Sequence, residues 1–197
     1  MATIEDGTGT GRRVGVNEEN RLQASVVSQE LQAHIAYHDE ENYQVIGTAS
    51  LSSGTTVCLH IKNTSAVDDM VIFFIRHQVV DQAGGTALPN ASNYFSIAYG
   101  RTYGSGGSAV TPVNTVAGSL RTATATCYAS GPTLAGTASE LDRWYTQAEA
   151  DMNTFAKYGA LLLRPTQTAE FRYVGDQSSG TIYTRVTFSM VSSGHRA

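Results

Sequence analysis

The sequence predicts a mostly β protein, folded as an antiparallel β-sandwich or in a jelly-roll-like arrangement. About eight segments either alternate apolar with polar residues or form short apolar runs rich in β-branched and aromatic residues, and turn formers separate most of them. The regular alternation of strands and helices that an α/β nucleotide-binding fold requires is missing from the pattern. The chain has 197 residues, of which 41% are hydrophobic, which is enough for one domain with a real core.

The clearest strand signals lie between residues 43 and 75. Val57, Leu59 and Ile61 alternate with polar or small neighbours, and the continuous run Met70–Ile75 predicts a central strand. Its residues Val71–Ile75 are predicted to be core, with one of the rings of Phe73 and Phe74 facing inward. Further strands are predicted at Tyr94–Tyr99, Thr122–Tyr128, Ala160–Arg164, Ala169–Val174 and Thr181–Val191.

Residues 1–19 are predicted to form an extended N-terminal arm, with the β-sandwich domain spanning residues 20–197. Residues 2–19 contain four glycines and few apolar side chains, so the arm has too little apolar surface to order itself alone. We expect the arm to be ordered by neighbouring subunits. Its candidate interface residues are the apolar anchors Ile4, Val14 and Val16, together with Arg12 and Arg13, which can pair with carboxylates.

The pattern changes in two places towards helical spacing. After a predicted strand at residues 20–28, residues 29–37 look briefly helical, although one longer helix over both segments fits as well. Between Ser139 and Tyr158 apolar residues recur three and four apart, which predicts a short helical insertion in the β domain. Trp144 and Tyr145 would then cover one end of the sandwich, and both are candidate interface residues.

Composition favours a protein that lies against neighbours. Charged residues make up 15% of the chain, below the usual value of about 25%, and Gly, Ser, Thr and Ala fill the difference. The net charge is −4 and basic residues form no cluster, so we expect no nucleic-acid partner. The N-terminus lacks a secretory signal and no apolar run could span a bilayer, so we expect a soluble protein with no membrane partner.

The candidate catalytic and metal-binding residues each have a simpler interpretation. His34 and His38 are four apart, as two metal ligands on a helix would be, but they lack the Glu of a zinc-protease motif and are more typical of an exposed polar segment. No recognised nucleophile motif accompanies His60 or His77, and the glycine-rich segment 104–107 lacks a phosphate-binding ending. We therefore expect no enzyme activity, no catalytic residues, no metal and no cofactor.

The two cysteines, Cys58 and Cys127, are predicted to be buried thiols, with a disulfide as the alternative if strands bring them together. Tyrosine is abundant, with 10 residues, and such amphipathic rings suit wet protein interfaces and sugar-binding platforms alike. A carbohydrate- or receptor-binding module is therefore the strongest alternative to a structural role.

Three segments resemble a group of tailed-bacteriophage virion proteins. They are Asn20-Arg21-Leu22 after a Gly/Thr-rich leader, the segment Val57–Ser65 ahead of Met70–Ile72, and a C-terminal strand pair that follows Ala160–Pro165. The resemblance implies a non-enzymatic virion component on a β-sandwich, assembled in the host cytoplasm. A head decoration or minor capsid protein that binds the major capsid protein or other virion proteins is the first expectation, with a homo-oligomeric state, and a neck or tail adaptor is the alternative.

Overall fold

The computed structural model describes residues 41–83, 93–145 and 154–191, and three short strands before them. Every regular element in these residues is a β-strand. In chain order the strands are β1 (Thr3–Glu5), β2 (Arg13–Val16), β3 (Leu22–Gln23), β4 (Asn42–Ser50), β5 (Gly54–Asn63), β6 (Asp69–Ala83), β7 (Tyr94–Tyr99), β8 (Thr102–Ser105), β9 (Ser108–Val110), β10 (Val113–Asn114), β11 (Ala125–Ala129), β12 (Thr133–Ala135), β13 (Ser139–Tyr145), β14 (Thr154–Leu163), β15 (Thr168–Gly175) and β16 (Ser179–Val191). The mostly β prediction is confirmed.

Two large antiparallel sheets make up the body of the protein. The five-stranded sheet has the order β10-β4-β16-β6-β14, and the six-stranded sheet has the order β13-β7-β15-β5-β11-β9. A small sheet joins β8 with β12, and another joins β1, β2 and β3. In the part of the chain that the structure describes, no helix is long and apolar enough to cross a membrane.

The strands of the two large sheets pair in a nested order. The strand β4 pairs with β16, β5 with β15, β6 with β14, and β7 with β13, all antiparallel. The chain therefore doubles back on itself around the segment between β7 and β13, and that segment carries β8 to β12. Because each pair joins strands that are far apart in the sequence, the order of pairing is set by contacts over long sequence distances.

Both sheets contribute to one core. The main buried cluster combines Leu59 and Phe171 of the six-stranded sheet with Ile72, Val186 and Phe188 of the five-stranded sheet. Each of these side chains is almost completely shielded from solvent, so burial of apolar area is the main force that holds the sheets to each other. Cys58 and Cys127 are both buried free thiols, as the sequence predicts.

A bulge in β6 corrects the prediction for Phe73 and Phe74. On β16, Phe188 lies opposite Ile72 and Thr187 lies opposite Phe74, so Phe73 is an extra residue without an opposite partner there. The bulge shifts the alternation of the strand, and Ile72 and Ile75 point into the core while Phe73 and Phe74 are only partly buried. The run Met70–Ile75 is an interior strand, as predicted, but β16 occupies the middle of this sheet.

The predicted helical insertion between Ser139 and Tyr158 is wrong. Ser139–Tyr145 forms β13 and pairs with β7, and Thr154–Tyr158 belongs to β14, which pairs with β6. Two existing sheet edges satisfy the backbone hydrogen bonds of these segments, and this tertiary pairing overrides a local spacing compatible with a helix. Residues 146–153 lie outside the described residues, as do the predicted helix at residues 29–37 and both His34 and His38.

The bulge predicts an unusual ranking of two core substitutions. Ile72→Ala should lower the free energy of unfolding by about 2–5 kcal/mol, because Ile72 is fully enclosed between the sheets. Phe73→Ala should cost clearly less, although it removes more atoms, because that ring is partly in solvent. Urea unfolding of the two variants beside the wild type measures both costs. An equal or larger loss for Phe73→Ala would contradict the position of the bulge.

Candidate interaction surfaces

The predicted arm residues lie on short paired strands. Ile4 of β1 lies opposite Val14 of β2, Arg13 lies opposite Glu5, and Val16 lies opposite Leu22 of β3. Arg12 lies outside the described residues. The structure therefore brings the apolar anchors Ile4 and Val14 into one register, while their role at an interface stays a prediction.

Trp144 and Tyr145 are separated onto two faces because they are neighbours on a strand. Trp144 is partly buried and packs against the main buried cluster and against a second one that includes Phe95 and Tyr173, whereas Tyr145 is 56% exposed. The Tyr145 ring meets the edge of Tyr94 at a centroid distance of 5.9 Å, and the Arg143 guanidinium lies over the Tyr94 ring at 4.0 Å. Of the two predicted interface residues on β13, Tyr145 is thus the exposed one and Trp144 is the partly buried one.

An ion-pair network holds the segment after β7 against the outer face of the six-stranded sheet. The buried carboxylate of Glu170 accepts hydrogen bonds from Nε of Arg101 at 3.0 and 3.1 Å and also pairs with the other end of that guanidinium. The Arg172 guanidinium lies 3.8 Å from Glu170 and 3.0 Å from Glu140. Because Glu170 is 1% exposed, these arginines provide the compensation that a buried carboxylate needs.

His60 belongs to the same layer and is used structurally. Its Nε2 donates to the carbonyl oxygen of Arg101 at 3.2 Å, and the Thr168 hydroxyl donates to the same oxygen at 2.7 Å. Burial lowers the pKa of His60, despite the opposing effects of the Arg101 carbonyl and Glu170. The imidazole is almost fully enclosed, so it fastens the Arg101 backbone and is not presented to solvent as a base.

The structure also contains a surface cavity that the sequence analysis missed. This flank cavity, of about 350 Å³, is formed where β7 ends, beside the edge strands β13 and β14 and the turn between β14 and β15. Its lining residues are Tyr99, Gly100, Thr102, Leu141, Leu161, Leu162, Leu163, Thr166, Gln167 and Thr168.

Three large apolar side chains are exposed in the flank cavity. Tyr99, Leu141 and Leu162 are 44%, 48% and 46% exposed. Apolar groups left in water at one concave place are typical of a contact surface, whereas single exposed ones are ordinary. The only sequence signal was the run Leu161-Leu162-Leu163, in which a strand must turn the middle leucine away from its neighbours.

The turn at the rim of the flank cavity is strained. The N–H of Gln167 donates to the carbonyl of Arg164 at 3.0 Å, with Pro165 second in the turn and Thr166 third. Thr166 has a φ of 69°, in the left-handed region where this turn type favours glycine. Its N–H donates to the carbonyl of Asn63 at 3.1 Å, and the N–H of Asn63 donates to the carbonyl of Gln167 at 3.0 Å. The surrounding backbone thus holds a β-branched residue in a costly conformation.

Asn63 fixes this turn to the rest of the body. Its buried side-chain amide donates to the carbonyls of Asp68 at 2.8 Å and Leu163 at 2.9 Å, and its side-chain oxygen accepts from the N–H of Ser65 at 3.0 Å. The end of β5, the start of β6 and the end of β14 are therefore joined through one residue. This explains why the cavity rim is rigid enough to keep Thr166 strained.

Among the described residues, no group of three or more His, Cys, Asp or Glu side chains is placed to hold a metal ion. A scan against protein-family models found no match to this chain, and a search of curated proteins also found none.

Relief of the strained turn gives a testable prediction. Thr166→Gly should raise the free energy of unfolding by about 1 kcal/mol, because a left-handed conformation costs a β-branched residue more than the entropy that glycine adds to the unfolded chain. The matched control is Thr126→Gly, at an exposed position of β11 with ordinary strand geometry, which should be destabilised by a similar amount. Urea unfolding measures both, and a Thr166→Gly protein no more stable than the wild type would contradict the strain.

Proposed function

We propose that the chain is a non-enzymatic structural component of a bacteriophage virion, folded as a jelly-roll β-sandwich. The observation that carries the proposal is the nested pairing of β4 with β16, β5 with β15, β6 with β14 and β7 with β13. A jelly roll is an antiparallel chain doubled on itself in this order and wrapped so that its pairs alternate between two sheets. Viral capsid domains are among the main users of that architecture.

The two sheets divide the pairs as a jelly roll requires. The pairs β4·β16 and β6·β14 lie side by side in the five-stranded sheet, and β5·β15 and β7·β13 lie side by side in the six-stranded sheet. The shared core between the sheets supports the sandwich part of the proposal. The resemblance of the Asn20–Leu22 and Val57–Ser65 segments to phage virion proteins points to the same class.

Lectins also use the jelly roll, so the fold alone does not separate a sugar-binding module from a structural protein. The side chains on the surface are the basis for choosing between these two functions. Sugar platforms need open aromatic faces, but the rings of Tyr103 and Tyr128 stack on each other at 3.6 Å and cover one face of each. The flank cavity combines two leucines with one tyrosine among its exposed apolar groups, a composition that suits protein side chains better than a polar sugar. These features favour contact with another protein.

Within the virion, we propose a head decoration or minor capsid protein that contacts neighbouring shell subunits through the flank cavity. The arm, with Ile4, Arg13, Val14 and Val16 on its strands, would supply a second contact through extended backbone. A neck or tail adaptor would use the same two features. A head protein and a neck or tail adaptor would differ in which virion protein these two features contact.

A substitution in the flank cavity tests the proposed contact with the particle. Leu162→Lys puts a charge among the exposed apolar side chains and should lower the affinity for particles lacking the protein at least tenfold, since burying an unpaired charge in an interface is costly. Leu120→Lys is the control, because Leu120 is 97% exposed outside the cavity and its replacement should leave binding unchanged. Co-sedimentation with such particles measures binding, and thermal unfolding checks that both variants are folded. Equal binding by a folded Leu162→Lys protein would contradict the proposed contact.

A further inference from the structure

His77 lies on β6 between the two large sheets, completely enclosed. Its ring stacks on Phe95 of β7 at a centroid distance of 4.8 Å with an interplanar angle of 7°, and Phe171 of β15 lies at 6.2 Å. Both aromatic partners belong to the opposite sheet. The imidazole is therefore a direct contact between the sheets, in a place where an apolar side chain would be the ordinary choice.

One ring nitrogen of His77 lies beside a buried polar side chain. Nδ1 lies 2.9 Å from the hydroxyl of Thr184 on β16. The Thr184 side chain also partly offsets the burial that raises the pKa of the Cys58 thiol on β5. The Cys58 thiol donates to the carbonyl of Thr56 at 3.5 Å. Polar side chains of β6 and β16 in one sheet thus lie beside the Cys58 thiol of β5 in the other, and the ring stacking of His77 joins the two sheets.

The second ring nitrogen, Nε2, is buried and has no hydrogen-bond partner among the residues that the structure describes. Among the described side chains around His77, the titratable groups are the Cys58 thiol of β5, near Thr184, and the Tyr173 phenol of β15, whose ring meets Phe95 at 5.6 Å. The strands β7 and β16 present Phe95 and Thr184 to His77, and β14 places Phe155 opposite it in the sheet. Burial raises the pKa of Cys58 and of Tyr173 to about 12, so both stay neutral in acid. The neighbouring Arg76 and Arg185 are exposed on the outer face of the sheet.

We propose that His77 makes the contact between the two sheets sensitive to acid. The neutral imidazole stabilises this contact, and protonation of the imidazole destabilises it. A proton on Nε2 would place a charge and an unbonded N–H in the core, where no carboxylate among the described side chains faces it, and the protein can accept that proton only by opening. This acid sensitivity is independent of the proposed function.

The direction of the pH effect follows from the pKa of His77, which burial lowers from 6.5 to about 3. The folded state excludes a proton that the unfolded chain binds below pH 6.5, so stability is lost as pH falls from about 6.5 towards 3. A pH of 4.5 is two units below the pKa of His77 in the unfolded chain, so the unfolded residue is protonated while the folded one is still neutral. The folding equilibrium constant should therefore fall about 100-fold between neutral pH and pH 4.5 through this residue alone.

The test compares wild type with His77→Gln, which keeps a polar group near Thr184 but does not titrate. Urea unfolding at pH 7.5 and 4.5 gives the loss in folding equilibrium constant for each protein. We expect the wild-type loss to exceed that of His77→Gln by about 100-fold, and the same excess to persist when both proteins also carry His60→Gln. The His60 change is the control because that imidazole lies on the outer face of the six-stranded sheet. Equal losses with and without His77 would overturn the proposal.

A second measurement covers the case in which His77→Gln does not fold. In wild-type protein labelled at the histidine ring, NMR should show the His77 imidazole neutral in the folded state at pH 4.5, with unfolded signal growing as the pH is lowered. A folded His77 signal that titrates near pH 6.5 would overturn the proposal, because the core would then accept the charge without opening.

Discussion

The nested pairing of strands that are far apart in the sequence is the constraint on which the rest of this structure depends. The first strand of the body, β4, lies beside the last, β16, and the next three pairs nest inside it. Closing such distant pairs costs chain entropy that local contacts do not offset. The compensation is the core between the sheets, where residues such as Ile72 and Phe171 become fully buried only when both sheets are in place. The body should therefore fold as one cooperative unit.

The outer-face ion pairs and the flank cavity lie where the nested strand pairs reach the edges of the two sheets. The innermost pair, β7 with β13, leaves β13 at one sheet edge, and the segment between these strands folds back onto the outer face, where Arg101 pairs with the buried Glu170. The strand β14 is the edge of the other sheet, and where both edges approach the turn held by Asn63 the apolar flank cavity remains. The flank cavity is thus a product of incomplete closure at one side of the body, and its strained rim at Thr166 is kept by the surrounding pairing.

Local pattern was sufficient for strands whose alternation or apolar run is strong, and insufficient where distant contacts decide. Tyr94–Tyr99 was predicted with its observed bounds, and the buried thiols were predicted correctly. The Ser139–Tyr158 segment has helical spacing, but two sheet edges, invisible in the local sequence, turn both of its ends into strands. The bulge that moves Phe73 out of the core depends on the partner strand, and the flank cavity gathers residues from segments far apart in the chain. Neither can be found from periodicity alone.

The proposed role as a virion component rests on the architecture and on a surface suited to protein contact, and the particle is where it can be measured. Quantitative mass spectrometry of density-gradient-purified particles, produced from a genome that encodes this chain, tests it most directly. The account predicts that the protein stays with the particles through washing, in a fixed ratio to the major capsid protein. A protein that is abundant in the infected cell and missing from the washed particles would contradict it.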